Sequence, residues 1–229
     1  MSICGCKGWG ELTREGLARL IDHTLLKIDA RKKEIEKLCD EAAKFNFFSV
    51  CTNPYWVRSV RGLLEGTGVN VCSVSGFPLG SSNTEAKVLE AKWGVDDGAD
   101  EIDMVMNVGA FKDRDYSFVL EEIERVVEVV GPDRATKVII ETCVLSDGEK
   151  VGASRLVKKA GAQFVKTSTG FGTGGATVKD VRLIRETVGD ELGVKASGGI
   201  RTFEEAVALV QAGATRIGTS AGVRMVTEG

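Results

Sequence analysis

The sequence has 229 residues, 43% of them hydrophobic, which is enough for one or two globular domains with a sizeable core. It holds 30 basic and 33 acidic residues, and no basic segment is interleaved with aromatic residues, so we expect neither nucleic acid nor a membrane surface as a partner. Residues 1–16, MSICGCKGWGELTREG, contain no apolar stretch long enough for a signal peptide or a spanning helix, which predicts a cytoplasmic protein.

The cysteines are scattered along a chain too large to need disulfide cross-links, so we expect reduced thiols. They are Cys4, Cys6, Cys39, Cys51, Cys72 and Cys143. Cys4 and Cys6 form a single C-x-C motif without a second pair, which is a weak signal for structural zinc. We therefore expect no metal site.

In chain order, a helical segment, ELTREGLARLI, precedes short apolar runs that alternate with helical patterns. The runs are rich in Val and Ile, and most are continuously apolar, as in strands that are buried on both faces. They are IDHTLL (21–26), FFSVCT (47–52), VNVCSVS (69–75), EIDMVM (101–106), KVIIET (137–142), QFVKT (163–167), GVKAS (193–197) and TRIGTS (215–220).

Amphipathic segments between these runs predict helices, with apolar residues recurring at spacings of three and four. They include residues 31–45, 84–98, 116–130 and 202–213. In the last of them, Thr202 followed by Glu205 predicts an N-terminal capping box, and Gly213 predicts the end of the helix.

Eight strand–helix units in a chain of this length predict a (β/α)8 TIM barrel. We expect it to form a single domain over residues 1–229, with the additional helix at its N-terminus. The alternative is an open, doubly wound α/β sheet. That fold would require a nucleotide-binding fingerprint after an early strand, and none of the early strands is followed by one.

Polar groups stand near the carboxyl ends of several predicted strands, where (β/α)8 barrels place their active sites. Asp103 is flanked by apolar residues in the fourth strand. Burial tends to raise the pKa of a carboxyl group, which would suit Asp103 to proton transfer. Alternatively, Asp103 caps a loop or pairs with a lysine for stability, and the residues alone leave both interpretations open.

Lys166 and Lys195 belong to the sixth and seventh predicted strands, which should be neighbours in the barrel. Repulsion and burial would both favour a neutral amine, at a cost on the order of 4 kcal/mol for a shift of roughly three pKa units. An enzyme whose amine attacks a carbonyl gains from such a shift. Either lysine alone is better explained by a structural role, extending its ammonium to solvent or pairing with Asp22, Asp103 or Glu141. The pair together with Asp103 on a third strand favours catalysis.

Three glycine-rich segments follow the last three predicted strands: TSTGFGTGGAT (167–177), SGGIR (197–201) and GTSAG (218–222). Glycine lets backbone N–H groups approach an anion, and the helix N-termini that follow add partial positive charge. We therefore predict a phosphate-binding site, with tight turns alone as the alternative. Its candidate residues are Thr169, Gly170, Gly198, Gly199, Gly218 and Ser220.

Other motifs exclude some classes of enzyme. His23 is the only histidine, so a His-based triad is not expected, and we predict a structural role for it. Cys51 ends the second predicted strand, where it would face the pocket. The sequence has no serine nucleophile elbow, P-loop or HExxH motif.

Six segments together resemble the deoxyribose-phosphate aldolase family of the DeoC type, in the family's order and over about residues 20–222. They are IDHTLLK, VCTNPYWV, SVSGFPLG, EIDMVMNVGA, FVKTSTGFGTGGAT and KASGGIRT. The resemblance implies a class I aldolase on a (β/α)8 barrel, which cleaves 2-deoxy-D-ribose 5-phosphate to acetaldehyde and D-glyceraldehyde 3-phosphate. It also implies no metal or organic cofactor, and a homodimer or homotetramer.

The resemblance further implies roles for individual residues. Lys166 matches the lysine that forms the Schiff base, and Lys195 matches a second lysine that lowers the pKa of the first and takes part in proton transfer. Asp103 matches an aspartate that handles protons through water, while Asp22 and Cys51 match positions in the substrate pocket. The phosphate cradle is matched by Gly170, Gly198, Gly199 and Ser220.

The sequence departs from some relatives at three places. Phe171 stands where some carry a lysine beside the phosphate loop, so phosphate affinity would rest on backbone amides. Ala221 occupies a position that is serine in some relatives. The sequence ends at Gly229 without the tyrosine-bearing tail of some bacterial members, which bears on proton exchange at C2.

Two other classes of protein share parts of this pattern. A phosphate-binding barrel isomerase or synthase would have the cradle but would not need Lys166 as a nucleophile. A non-catalytic barrel that senses a sugar phosphate would tolerate loss of Lys166. The paired lysines argue against both classes.

Overall fold

A computed structural model describes residues 12–228 and contains a closed barrel of eight parallel strands in sequential order, from β1 to β8, with β8 pairing back to β1. The predicted TIM barrel is therefore confirmed. The strands are β1 Ile21–Leu25, β2 Ser49–Thr52, β3 Asn70–Ser75, β4 Glu101–Val105, β5 Ala135–Ile139, β6 Phe164–Lys166, β7 Gly193–Ser197 and β8 Arg216–Thr219.

Helices follow every strand and surround the barrel, and one further short helix precedes β1 as predicted. They are α1 Arg14–Ala18, α2 Lys32–Phe45, α3 Val57–Leu63, α4 Thr84–Asp96, α5 Val108–Lys112, α6 Tyr116–Val130, α7 Asp147–Lys159, α8 Val178–Val188, α9 Phe203–Gln211 and α10 Gly222–Thr227. Short 3₁₀ turns occupy Pro54–Trp56 and Thr142–Val144.

The predicted helix signals act as expected at α9. The Thr202 side chain accepts a hydrogen bond from the Glu205 amide, and the Glu205 side chain accepts one from the Thr202 backbone. Gly213, with φ of 114°, follows the end of the helix. Local capping therefore fixes where α9 begins and ends.

The fifth strand lies earlier in the sequence than predicted. It covers Ala135–Ile139 rather than 137–142. Glu141 has left-handed backbone angles, φ 53° and ψ 68°, and the chain continues into the turn Thr142–Val144. A left-handed residue cannot continue a strand, which explains the shift.

The main hydrophobic core lies between the barrel and its helices and includes Ile102, Met104 and Ile123, each fully buried. Burial of one such side chain stabilises the fold by about 1.5–3 kcal/mol. A smaller apolar cluster of Leu26, Cys51, Cys72 and Val74 packs separately. Within residues 12–228, no helix has both the length and the apolar character needed to cross a membrane.

The domain prediction reaches beyond the described residues. The described residues, 12–228, belong to the barrel. Cys4, Cys6 and both ends of the predicted 1–229 domain lie outside the described residues. The single-domain boundary therefore stays a prediction.

A buried ion pair joins the outer helices α4 and α6. Lys87 Nζ lies 2.7 Å from Glu122 Oε1, and both side chains have no exposed surface. Lys87 also donates to the carbonyl of Val105 at 2.9 Å, and Glu122 accepts from the amide of Asn107 at 3.0 Å. The pair thus anchors the end of β4. Burial lowers the pKa of Lys87 and raises that of Glu122, so each charge depends on its partner.

We expect Glu122→Ala to lower the free energy of unfolding by about 3–5 kcal/mol, because it leaves the Lys87 ammonium buried without its counter-charge. Urea denaturation would measure this change. The control is Glu85→Ala, which breaks the exposed Glu85–Arg125 pair between the same two helices and should leave stability nearly unchanged. Equal effects of the two substitutions would contradict the prediction.

Candidate active site

Asp103 lies at the centre of a buried cluster of charged side chains inside the barrel. Its Oδ2 accepts hydrogen bonds from Lys166 Nζ at 2.8 Å and from Lys195 Nζ at 2.7 Å, and its Oδ1 accepts one from Lys137 Nζ at 2.8 Å. The Cys72 thiol contacts Oδ1 at 3.2 Å. The predicted adjacency of the two lysines is confirmed, because β6 and β7 pair Lys166 directly with Lys195.

A second group of charges lies against this carboxylate. Asp22 Oδ2 lies 2.5 Å from Lys195 Nζ, and Asp22 Oδ1 accepts from Arg216 Nη1 at 2.9 Å. Glu101 Oε2 lies 2.9 Å from the same guanidinium nitrogen and 2.7 Å from Lys137 Nζ. Together with Asp103 and Lys166, these side chains form a continuous network, which we call the charged cluster.

Asp103 has a lowered pKa, contrary to the prediction. Burial raises the pKa of this carboxyl, but attraction to Lys137, Lys166 and Lys195 outweighs burial and holds the pKa well below its usual range. The expectation of a raised pKa was wrong because it considered burial alone, whereas the alternative, pairing with lysines, is what the structure shows. Asp103 is a stably ionised carboxylate.

Lys195 also differs from the expectation of a neutral amine. Burial lowers its pKa, but the carboxylates of Asp103 and Asp22 outweigh burial and raise the pKa above the usual value. The same two carboxylates act with Glu101 on Lys137, whose pKa is raised well above its usual value. Both Lys195 and Lys137 are therefore ammonium ions at neutral pH.

Three members of the charged cluster were missed from the sequence: Glu101, Lys137 and Arg216. Each stands in a run that was read as a buried strand, in EIDMVM, KVIIET and TRIGTS respectively. A charged residue is rarely buried unless it is paired, so charges within buried strands were the available signal. Counting them by strand would have indicated an ionic barrel interior.

A cavity of about 290 Å³ opens at the carboxyl ends of the strands, with Lys166 in its wall. Its wall also contains every predicted phosphate-site residue: Thr169, Gly170, Gly198, Gly199, Gly218 and Ser220. Lys27 and Arg201, which were not predicted, line the same cavity and are both exposed. The cavity therefore brings an amine, backbone amides and two cations together.

Asp22 and Cys51 do not line this cavity, although they were predicted to contact substrate. Both are fully buried. Asp22 accepts a hydrogen bond from Ser49 Oγ at 2.7 Å in addition to its cationic partners. The structure thus places Asp22 within the charged cluster, and Cys51 beside it.

Cys51, Cys72 and Asp103 present one ligand atom each within 4.8 Å of one another, which is close enough to hold a metal ion. However, both oxygens of Asp103 already accept hydrogen bonds from lysines. A metal cation would enter next to the ammonium groups of Lys137 and Lys195, and their repulsion disfavours it. The chemistry of these groups therefore does not fit a metal centre.

The glycine-rich loops of the cavity depend on positive φ angles and close backbone contact. Gly198 and Gly199 have φ of 88° and 79°. A Cβ atom on Gly175 would lie 2.1 Å from the Gly198 carbonyl oxygen, so no other residue fits there. In the part of the chain that the structure describes, the amides of Gly198, Gly199 and Ser220 donate to no protein acceptor. They are available to an anion.

His23 is bound into the structure, in line with its predicted role. Its Nε2 lies 2.8 Å from Glu41 Oε2, and its ring packs against Phe47 with centroids 4.9 Å apart. Burial lowers its pKa, against the opposing effect of Glu41. The side chain is almost fully buried and is not among those lining the cavity.

Residues 17–226 match the family model described as DeoC/LacD family aldolase. The chain belongs to this family. It is 58% identical over 213 residues to the deoxyribose-phosphate aldolase of Thermococcus gammatolerans, covering 92% of this chain and 95% of that protein. It is 55% identical over 212 residues to the deoxyribose-phosphate aldolase of Clostridium perfringens, covering 93% and 95%.

Solved structures of family members have the same fold. The aldolase QR15 matches with a TM-score of 0.89 and 42% identity, over 93% of this chain and 95% of that one. The deoxyribose phosphate aldolase of Aeropyrum pernix, described as a unique tetramer, matches with a TM-score of 0.88 and 35% identity, over 93% and 91%. The family resemblance seen in the sequence is confirmed.

The lowered pKa of Asp103 predicts that its carboxyl group does not titrate between about pH 4 and 9. The ¹³C shift of this carboxyl, assigned by its loss in Asp103→Asn, should stay constant over that range. Because the folded-state pKa lies below the unfolded one, ionisation of Asp103 stabilises the fold above about pH 4, and this stabilisation is lost as pH falls through the folded-state pKa. An inflection near neutral pH would contradict the assignment.

Proposed function

We propose that this family member is a class I aldolase that reversibly cleaves 2-deoxy-D-ribose 5-phosphate to acetaldehyde and D-glyceraldehyde 3-phosphate, with Lys166 as the residue that forms the Schiff base. The observation that carries the proposal is the position of Lys166, which links the charged cluster to the cavity. The high identity to relatives named deoxyribose-phosphate aldolase supports the choice of substrate.

Position supports Lys166 as the nucleophile. Of the three lysines on Asp103, Lys137 and Lys195 are fully buried, and only Lys166 lines the cavity. An attacking amine must be neutral. Within the charged cluster, four basic side chains face three carboxylates, so the cluster holds one more basic group than acidic partners.

The proposed reaction begins when the Lys166 amine attacks C1 of the open-chain sugar, and loss of water gives an iminium ion. A proton leaves the C3 hydroxyl, and the C2–C3 bond breaks, with its electron pair flowing toward the iminium nitrogen. D-glyceraldehyde 3-phosphate departs. The resulting enamine is protonated at C2, and water then hydrolyses the imine to acetaldehyde and free Lys166. No metal or organic cofactor enters any step.

We assign the proton transfers to Asp103 and Lys195 acting together, through water. The lowered pKa of Asp103 makes it a weak base on its own. However, its Oδ2 bridges the ammonium of Lys195 and the nitrogen of Lys166, so a proton delivered to one nitrogen can be balanced by release from the other. Asp103 also holds the Lys166 side chain toward the cavity.

The glycine-rich loops would hold the phosphate group. Their free amides, together with Lys27 and Arg201 at the same cavity, supply the positive potential that an anion requires. Phe171 also lines the cavity and packs edge-on against Phe77, with ring centroids 5.4 Å apart. Binding energy from the phosphate end is remote from the bond that breaks and positions the sugar.

We further propose that the protein is cytoplasmic and works as a homodimer or homotetramer. The tetramer described for the Aeropyrum pernix relative supports an oligomer. Large apolar side chains on the surface, including Leu79 at 78% and Trp93 at 58% exposure, could be buried in a contact between subunits.

Borohydride trapping tests the covalent step. After incubation with acetaldehyde and reduction, mass spectrometry should find an added C2H4 group on Lys166, because reduction fixes the imine as a secondary amine. The adduct should disappear in Lys166→Ala and persist in the control Lys33→Ala, which alters an exposed lysine. Turnover without an adduct would favour an isomerase or synthase. Binding of the sugar phosphate without turnover or adduct would favour a sensor.

Asp103→Asn should lower kcat by about 100-fold or more while KM for the sugar phosphate changes less than about threefold. The reason is that Asp103 contacts the lysines, whereas the phosphate binds at the loops. Steady-state kinetics on protein verified as folded by circular dichroism would measure both constants. An unchanged kcat would remove Asp103 from the proposed proton transfer.

A further inference from the structure

Glu141 has a strained backbone at the end of β5, beside the predicted phosphate loop. Its φ of 53° is one of three positive values among the non-glycine residues that the structure describes. Such angles are unfavourable for a residue with a side chain and persist where the surroundings require them. Here the amide of Ile140 donates to the carbonyl of Lys166 at 3.0 Å, and the amide of Thr142 donates to that of Thr167 at 2.8 Å.

These two hydrogen bonds fix the direction of the Glu141 side chain. Because the residues on both sides bind the backbone of β6 and the residue after it, the turn at Glu141 sends its carboxylate toward the loop beyond Thr167. The residue is only 8% exposed. Glu141 is not among the residues that line the cavity, so its carboxylate acts behind the loop rather than on a ligand.

The Glu141 carboxylate accepts two hydrogen bonds from one residue of the loop. Its Oε2 accepts one hydrogen bond from the Thr169 amide, at 3.2 Å, and one from the Thr169 hydroxyl, at 2.5 Å. That hydroxyl oxygen in turn accepts the Phe171 amide at 3.0 Å. The chain of hydrogen bonds encloses Gly170, whose φ is 86°, so the left-handed turn of the loop depends on Glu141.

Packing adds a second constraint from the same side. A Cβ atom on Gly172 would lie 3.0 Å from Cys143 Sγ and 3.3 Å from the Glu141 carboxyl, and one on Gly174 would lie 2.9 Å from Cys143 Cβ. The loop therefore lies directly on Glu141 and Cys143 and has little freedom to shift toward them.

We propose that Glu141 is a positioning residue that sets the shape of residues 167–175 and thereby the affinity of the site for the phosphate group of its substrate. This inference rests on the proposed function, because it assigns the loop to that phosphate. Glu141 contacts no substrate in this scheme. Its effect passes through Thr169 and Gly170, which line the cavity.

The test compares two substrates, 2-deoxy-D-ribose 5-phosphate and 2-deoxy-D-ribose. In Glu141→Ala, KM for the phosphorylated sugar should rise about tenfold or more, because a buried pair of hydrogen bonds to a charged group is lost. kcat at saturation should change less than about threefold. kcat/KM for the unphosphorylated sugar should change less than about threefold as well, since it has no phosphate to hold.

Two further variants separate positioning from general damage. Glu141→Gln keeps an oxygen that accepts from Thr169, and its KM should stay within about threefold of the unmodified protein. Thr169→Val removes only the hydroxyl and should raise KM for the phosphorylated sugar. In the double variant, Thr169→Val should raise KM by less than it does alone, because both substitutions break the same chain of hydrogen bonds. Glu124→Ala, on the exposed face of α6, is the control.

The outcomes are distinct from those that test the proposed function. Acetaldehyde trapping on Lys166 needs no phosphate, so an adduct in Glu141→Ala at the unmodified rate shows the covalent step intact. Equal losses with both sugars, or additive effects of Glu141→Ala and Thr169→Val, would overturn the positioning role. If Glu141→Ala does not fold, Thr169→Val decides: an unchanged KM for the phosphorylated sugar would also overturn it.

Discussion

The ionised carboxylate of Asp103, fully buried and shared by three lysines, is the interaction on which the rest of the barrel depends. Its partners come from β5, β6 and β7, and through Lys195 and Lys137 the network continues to carboxylates on β1 and β4 and to Arg216 on β8. A buried ion left without its partner is strongly destabilising. The charged cluster therefore requires six strands to be in register at once, and it selects one closed barrel among alternative pairings.

The residues proposed for bond breaking and those proposed for phosphate binding stand on different parts of the barrel. Reactive groups stand on strands, where pairing such as Lys166 with Lys195 fixes their spacing. The phosphate end stands on loops, whose shape is held from behind by Glu141 and by close glycine contacts. Rigid strands suit a bond-breaking step that needs sub-ångström placement. Glycine-rich loops can bind an anion, because several backbone amides hold it together rather than one directed contact.

Much of this arrangement could be read from the sequence, since each part has a local signature. Alternating apolar runs and amphipathic segments predicted the barrel. Glycine-rich segments after the last three strands predicted six residues of the cavity wall. Lys166, Lys195 and Asp103 were singled out because charges in apolar strands are unusual. The family motifs then gave these residues specific roles.

What could not be read depends on which side chains meet across strands. Asp103 has apolar neighbours in the chain, and only the barrel brings Lys137 to it, so the direction of its pKa shift was wrong in the prediction. Asp22 was predicted to contact substrate from its place in the first strand. In the structure, ion pairs with Arg216 and Lys195 hold its carboxylate inside the barrel. Glu141 stands in the run KVIIET, which predicted an ordinary strand, and a glutamate gives no sign in the sequence of a left-handed backbone.

The hydrogen bond between Asp22 and Arg216 joins the first strand to the last and has a consequence for biosynthesis. A ribosome releases β1 long before β8, so Asp22 leaves the exit tunnel without its guanidinium partner. Folding intermediates of the nascent chain must keep this carboxylate hydrated until the final strand arrives. Burial of this ion pair therefore cannot precede the arrival of β8, which closes the barrel against β1.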